Sequence, residues 1–264
     1  MKNGNVISAF SYASESDLNV SEWKKIIRLS SKGFCIAVFS EKKAERLFQY
    51  SFTRDDLSVE DKLETIRAIN QELKIDCKNN FFRLYTQFNV QIPNEFYAQE
   101  NDKTVLSLIV ESPENYVPFA EKADDWGLYS VSAWEKDLYI CVKKIFPDYE
   151  LGTVLSSLLP VMAQLKEGKK TLIFVGDHNF TIAAADGQKL LGVNTFPFSD
   201  ENDFLYYSFA FVRKMYPNTE SISIKLCGNI APKSPLYAVL NKYFSDVDMV
   251  PSSCRCLLVH FTTN

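Results

Sequence analysis

The chain has 264 residues, 46% hydrophobic and 23% charged, with a formal net charge of −4 and a sequence pI near 5.4. These values describe a folded chain with a solvated surface, long enough for two domains and far from the composition of disorder. They argue against a nucleic-acid wrapper, which needs clustered cations to neutralise phosphates, because Lys24-Lys25, Lys42-Lys43 and Lys169-Lys170 are isolated pairs beside acidic residues.

Residues 1–32 read as a polar leader. Ser11, Ser14, Glu15 and Asp17 interrupt it, so it lacks the apolar stretch of a secretory signal, and no run in the chain reaches the ~20 apolar residues of a membrane span. Gly33–Phe39 (GFCIAVF) has the length of a buried strand, 40–43 that of a polar turn, and Ala44–Phe52 the alternation of a hairpin partner. Ser58 opens a helix with Asp61 three residues on, and Val59, Leu63, Ile66 and Leu73 keep near-helical spacing. Residues 81–88 read as a strand, Pro93 punctuates a short helix or turn through Tyr97, and 105–110 (VLSLIV) reads as a central strand. The stretch 111–125, rich in Pro and acid, is the predicted linker, dividing the chain into lobes of residues 1–125 and 126–264.

In the second half, 128–134 and 138–142 alternate on either side of Glu135-Lys136-Asp137, the pattern of a hairpin. Residues 156–165 read as a helix and 171–175 (TLIFV) as a core strand. Residues 180–185 and 189–196 form a predicted hairpin across Asp186-Gly187, since Gly accepts the positive φ of such a turn. A helix at 203–216, a strand at 222–226 and a helix at 236–244 follow, then a closing strand at 256–261. In the last helix Leu236, Val239, Leu240, Tyr243 and Phe244 make an amphipathic stripe. The halves repeat one order of elements, 33–52 in the first and 171–196 in the second, which predicts a duplicated α/β architecture.

Six cysteines (Cys35, Cys77, Cys141, Cys227, Cys254, Cys256) lack C-x-x-C spacing, and Cys35, Cys141 and Cys227 sit in apolar runs. That usage suits a reducing compartment, so a cytoplasmic location is expected. The two histidines, His178 and His260, read as turn and strand residues, and no zinc, nucleophile-elbow or phosphate-loop motif occurs. No catalytic residue and no metal ligand are assigned. The helix from Asp203 to Tyr216 (DFLYYSFAFVRKMY) carries Phe204, Leu205, Tyr206, Tyr207, Phe209, Phe211 and Val212 on more than one face. Burial on two sides explains such a helix; so do aromatic anchors for a protein partner or a second copy.

This order of elements resembles the actin-like ATPase superfamily, which includes actin, Hsp70, sugar kinases and bacterial cell-division and pilus-platform proteins. The whole is similar to a family of uncharacterised bacterial proteins of this length with an actin-like fold. The resemblance implies two ribonuclease H-like lobes, mixed sheets flanked by helices, with ATP and Mg held between them by two phosphate turns and an adenosine turn. The phosphate turns of that superfamily carry Asp-x-Gly after a core strand, Asp for the metal or its water and Gly for close approach of backbone N–H groups to phosphate. Placed on 34–41 (FCIAVFSE), the first turn has neither residue and offers Glu41. In the second, 174–181 (FVGDHNFT), aligning Thr181 with the superfamily's frequent Thr puts Val175 at the Asp position and Asp177 at the Gly position. Gly176-Asp177 is therefore out of register, and one residue of register turns a strand side chain to the other face.

The adenosine turn is matched by 224–229 (IKLCGN), with Cys227 in place of a first Gly and Pro235 opening the next helix. If a nucleotide binds, the resemblance puts it on Gly176, Asp177, Gly228 and Asn229. Phosphoryl transfer rests on positioning and on electrostatic stabilisation by metal and donors. With those groups displaced, the expectation is a degenerate actin-like scaffold, a pseudo-ATPase without nucleotide or metal, whose partner is another protein or a second copy. The alternative is an ATPase with shifted ligands, Asp177 holding the metal.

Overall fold

Two sheets built on one strand plan form the body of the protein. The computed structural model describes residues 5–13, 23–40, 44–165, 168–218 and 222–250. The chain begins with β1 (Val6–Ala13), β2 (Lys24–Leu29), β3 (Gly33–Phe39), β4 (Ala44–Phe52), α1 (Val59–Glu72) and β5 (Asn79–Leu84). Next come β6 (Asn89–Pro93), α2 (Asp102–Ile109), β7 (Tyr116–Ala123), β8 (Leu128–Glu135), α3 (Lys136–Ile145), β9 (Glu150–Thr153) and α4 (Leu155–Gln164). The rest is β10 (Lys169–Val175), β11 (Asn179–Asp186), β12 (Lys189–Pro197), α5 (Glu201–Met215), β13 (Ser223–Gly228), α6 (Pro235–Asn241) and β14 (Asp246–Met249).

The first sheet runs β1-β4-β3-β2-β5-β9 and the second β12-β11-β10-β13-β14. Set β1 aside and the plans coincide. An antiparallel meander (β2-β3-β4, β10-β11-β12) has its first strand paired in parallel with a later one (β5, β13), which pairs in parallel with a last (β9, β14). The architecture is the duplicated, two-lobed α/β arrangement predicted, but the duplication starts earlier than expected. The counterpart of β10 is β2, inside the supposed polar leader. Three of its six residues are cationic (KKIIRL), yet Lys25 and Arg28 are buried. Burial of such side chains is tolerated when the head group finds a partner: Lys25 Nζ donates to Ile75 O at 2.9 Å, and the Arg28 guanidinium lies 4.8 Å from the Phe174 ring centre.

Other elements follow the sequence closely. Ser58 Oγ accepts from Asp61 N at 3.1 Å and caps α1, whose Leu63, Ile66 and Ile69 are buried against the first sheet. Between β5 and β9 the short helical turn after Pro93 and the strand at 128–134 are found, but three other expectations fail. Residues 105–110, expected as a central strand, lie in α2 and its C-cap, with Leu106 buried and Leu108 80% exposed. Short apolar runs fit strand and helix alike. Residues 138–142, expected as a strand, belong to α3, which lays Val142 and Ile145 into the first core beside α1. The expected linker 111–125 contains β7, an edge strand of a third, small sheet ordered β6-β8-β7. Sheet membership crosses the expected division at 125/126, because β7 pairs with β8 and β9 joins the first sheet. The closing strand expected at 256–261, with Cys254, Cys256 and His260, lies outside the described residues.

Helix α4 ties the lobes together. It follows β9 of the first sheet directly, and Val154 N bonds Leu84 O at 3.0 Å there. Its buried face, with Leu158, Val161 and Met162, packs on Leu172, Phe174, Ala183 and Cys227 of the second sheet. Among the described residues, no helix is long and apolar enough to cross a membrane.

Candidate functional site

The turn after β2 meets the turn after β10. Both close in the same way: Ser30 N donates to Gly33 O at 2.9 Å in one, and Gly176 N donates to Asn179 O at 2.7 Å in the other. A Cβ on Gly176 would stand 2.6 Å from Asn179 Oδ1 and 2.9 Å from Asn179 O, so a residue without one is needed for this closure. The first phosphate-turn counterpart is thus residues 30–33 (SSKG), not the segment ending at Glu41. The expectation fails because β2 does not read as a strand, which places each later strand one position too early.

Across the two turns, Ser31 and Asp177 are equivalent positions, and they are bonded. Ser31 Oγ donates to Asp177 Oδ2 at 3.3 Å, and Lys32 N donates to the same oxygen at 3.3 Å. Asn229 Nδ2 donates to Asp177 Oδ1 at 3.2 Å. Asn229 is set there by Gly228, whose φ of +87° and contact with Val175 admit no side chain: a Cβ would fall on the Val175 carbonyl and 2.9 Å from Val175 N. Asn229 N then donates to Val175 O at 2.6 Å. The residues predicted from sequence, Gly176, Asp177, Gly228 and Asn229, are brought together. What sequence reasoning missed is the opposite wall, Ser31 and Lys32, although Ser30-Ser31-Lys32-Gly33 between apolar runs is itself a turn signal. Chemically, a hydroxyl and a backbone N–H meet one oxygen of a single carboxylate and an amide N–H meets the other. That is an oxyanion clasp, filled by the chain's own carboxylate.

Beneath the clasp the lobes touch through Arg28 of β2 and Phe174 of β10. Burial pulls the Arg28 pKa down, opposed by the nearby Cys35, Cys227 and Asp177. Burial likewise pushes both thiols, Cys35 and Cys227, upward, so they are inert as nucleophiles. To one side runs a polar rail. Thr181 Oγ1 donates to Tyr85 Oη at 3.2 Å and stands 3.0 Å from Thr195 Oγ1, which accepts from Asn89 Nδ2 at 3.3 Å. Beside the clasp a cavity of about 540 Å³ opens between the lobes, with Arg28, Lys32, Tyr50, Lys62, Glu135 and His178 in its walls. Among the described residues, no three His, Cys, Asp or Glu side chains converge.

The aromatic helix α5 is buried on two sides, which accounts for most of its apolar surplus. Phe204, Phe211 and Val212 enter the core of the second sheet, and Tyr207 stacks on Phe196 at 5.0 Å. An outer edge is left over: Tyr206 is 67% exposed, Tyr243 of the α6 end is 59% exposed, and Phe209 lies between α5 and α6, 6.3 Å from Tyr243 and 5.9 Å from Phe244.

Compared with solved structures, the chain is similar to a Bacteroides thetaiotaomicron VPI-5482 protein with an actin-like ATPase fold and unknown function. The two share 18% identity at a TM-score of 0.76, over 90% of this chain and 95% of that one. It is also similar to a chain of the PilM-PilN type IV pilus biogenesis complex, at 11% identity and a TM-score of 0.56, over 88% of each chain. Likeness at these identities shows the fold, and the fold is actin-like. Comparison with curated proteins finds no match in sequence. The sequence profile of one family, described as "Protein of unknown function (DUF3822)", matches residues 16–247, and the chain belongs to that family.

Proposed function

We propose that this protein is a non-catalytic actin-like scaffold, a pseudo-ATPase whose lobes present a surface to a protein partner. The observation that carries the reading is the seat of Asp177 on Ser31, Lys32 and Asn229. A phosphate brought to about 4 Å from that carboxylate meets a repulsion of roughly 4 kcal/mol at an effective dielectric of 20. Three donors at the seam, Ser31 Oγ, Lys32 N and Asn229 Nδ2, are already engaged by Asp177. Its partner position in the first turn is Ser31, which brings no carboxylate for a metal. Losing one well-placed electrostatic group costs ~10²–10³ in rate in comparable chemistry, and here both turns depart from the superfamily pattern.

The surface that best suits a partner is the edge formed by Tyr206, Phe209 and Tyr243, since exposed aromatics anchor protein interfaces. A protein of the same fold, PilM, occurs in a complex with PilN. Cytoplasmic residence fits the free thiols Cys35, Cys77, Cys141 and Cys227. The competing reading, a nucleotide-binding protein with Asp177 on the metal, draws on the retained Gly228-Asn229 turn beside the cavity. Calorimetric titration of magnesium-ATP into the full chain separates the two. The scaffold reading expects no saturable heat up to millimolar nucleotide; micromolar binding that Asp177→Ala abolishes would overturn it.

A further inference from the structure

We propose that the cavity beside the clasp binds a small organic acid, an oxyanion group on an aromatic or branched apolar body, whose acid group takes the place of Asp177. This goes beyond the scaffold reading and does not depend on it. The first support is the clasp's geometry. Its three hydrogen bonds to Asp177 measure 3.3, 3.3 and 3.2 Å, at or beyond the long end of the ~2.7–3.2 Å range for amide donors and the ~2.5–3.0 Å range for a hydroxyl. The carboxylate, tethered by its own short side chain, underfills the donors that face it. A carboxylate free of that tether can settle closer. Ser31, Lys32 and Asp177 meet at an exposed contact, so Asp177 has water to swing into when displaced.

The second support is charge. Arg28, Lys32 and Lys62 stand in the cavity wall against Asp177 and Glu135. Withdrawal of Asp177 leaves three cations facing one carboxylate, a field that draws an anion in. The third is the apolar floor. Phe34 and Tyr50, stacked on each other at 5.0 Å, line the cavity with Leu84 and Phe174, four nearly buried side chains whose edges give the wall an apolar part. About 540 Å³ falls within the range of ~300–1,000 Å³ typical of small-molecule sites. Because the donors come from both lobes, Ser31 and Lys32 from one and Asn229 from the other, an incoming acid exchanges an internal bridge for an external one. The ligand would thus govern how the lobes are joined.

The test is calorimetry on the full chain with cinnamate as probe, acetate as the control without an apolar body, and inorganic phosphate and magnesium-ATP as alternative oxyanion sources. Cinnamate should bind saturably and acetate at least about tenfold more weakly. If Asp177 fills the clasp ~80% of the time, its removal raises the competent fraction, and Asp177→Ala should tighten cinnamate binding about fivefold. Lys62→Ala in that background should weaken it again. Asp177→Asn, which keeps the side-chain volume, should show the same direction, so a poorly folded alanine variant would not end the test. The proposal falls if neither wild type nor the Asp177 variants bind cinnamate, or if affinity is unchanged in both variants. It also falls if the variants gain phosphate or magnesium-ATP but no carboxylate. That last result would leave the scaffold reading intact wherever the wild type stays inert to nucleotide.

Discussion

Ser31 and Asp177 hold the same place in two copies of one turn, and the hydroxyl of the first donates to the carboxylate of the second at 3.3 Å. The fold's internal duplication thus places a donor and an acceptor face to face at the seam between the lobes. The contact is exposed, and exposed charge contacts contribute ~0–1 kcal/mol. We expect Ser31→Ala and Asp177→Ala each to lower stability by less than about 1 kcal/mol in urea unfolding. The double variant should fall short of their sum, because both remove one bond. Strict additivity would mean that the two side chains do not interact in solution.

Gly228 is where the second turn and the adenosine-turn match lean on each other. An L-residue in the left-handed region costs ~1–2 kcal/mol, and at φ +87° a Cβ here also strikes the Val175 backbone. Gly228→Ala should therefore lose at least about 3 kcal/mol or fail to fold, since strain and steric overlap add. Gly187 supplies the control. Its φ is +57°, and no atom lies within 4 Å of where a Cβ would stand, so Gly187→Ala should cost only ~1 kcal/mol by thermal or chemical denaturation. Equal losses at the two sites would contradict the packing described for Val175.

Glu121 gives the fold a pH signature. Its residue is partly exposed, but the carboxylate end is enclosed, taking Thr153 N at 3.1 Å and Thr153 Oγ1 at 2.6 Å where α4 begins. Burial pushes this carboxyl up from its ordinary 4.5, against the pull of Thr153 and Arg83. The folded state then holds the proton more tightly than the unfolded chain does. This contribution is full below about pH 4.5 and is lost as pH rises through the folded value. Glu121→Gln keeps an acceptor for Thr153 and cannot ionise, so its stability should fall less than that of wild type as pH rises above about 4.5. Parallel stability curves would remove Glu121 from the account.

How much of the molecule is legible in its sequence depends on where charge and apolarity coincide. The second lobe reads almost element by element, because TLIFV, the Asp186-Gly187 turn and the Leu236–Leu240 stripe each obey one period. The first lobe defeats the same rules at β2. There Lys25 and Arg28 are buried with partners, Ile75 O and Phe174, that lie far away in sequence. Without that strand the first turn is misplaced, and Ser31 and Lys32 stay hidden. Helices α2 and α3 read as strands because short apolar runs do not declare their period, and only packing on β7, β8 and α1 decides it. The four residues tied to the nucleotide resemblance do meet; their actual business with one another, a carboxylate bonded across the seam, is not readable from spacing.

The aromatic edge can be tested apart from the cleft. Tyr206→Ser and Tyr243→Ser change exposed positions, so stability should move by no more than ~0.5 kcal/mol. Phe204→Ala, fully buried, should cost ~3–5 kcal/mol. If the edge is the partner surface, capture of the partner by tagged protein should be lost in the two tyrosine variants while their melting curves stay those of wild type. Undiminished capture would place the interface elsewhere.

The seat of Asp177 on the Lys32 amide is the centre of the account, and the amide proton itself reports it. Recorded by NMR on the full chain, the Lys32 N–H resonance of the wild type should differ from that of Asp177→Asn, because the charged acceptor of its hydrogen bond becomes a neutral amide. Millimolar magnesium-ATP should leave the wild-type resonance where it was. A Lys32 resonance indifferent to Asp177→Asn, or one displaced by magnesium-ATP, would contradict the self-occupied clasp and the non-catalytic reading built on it.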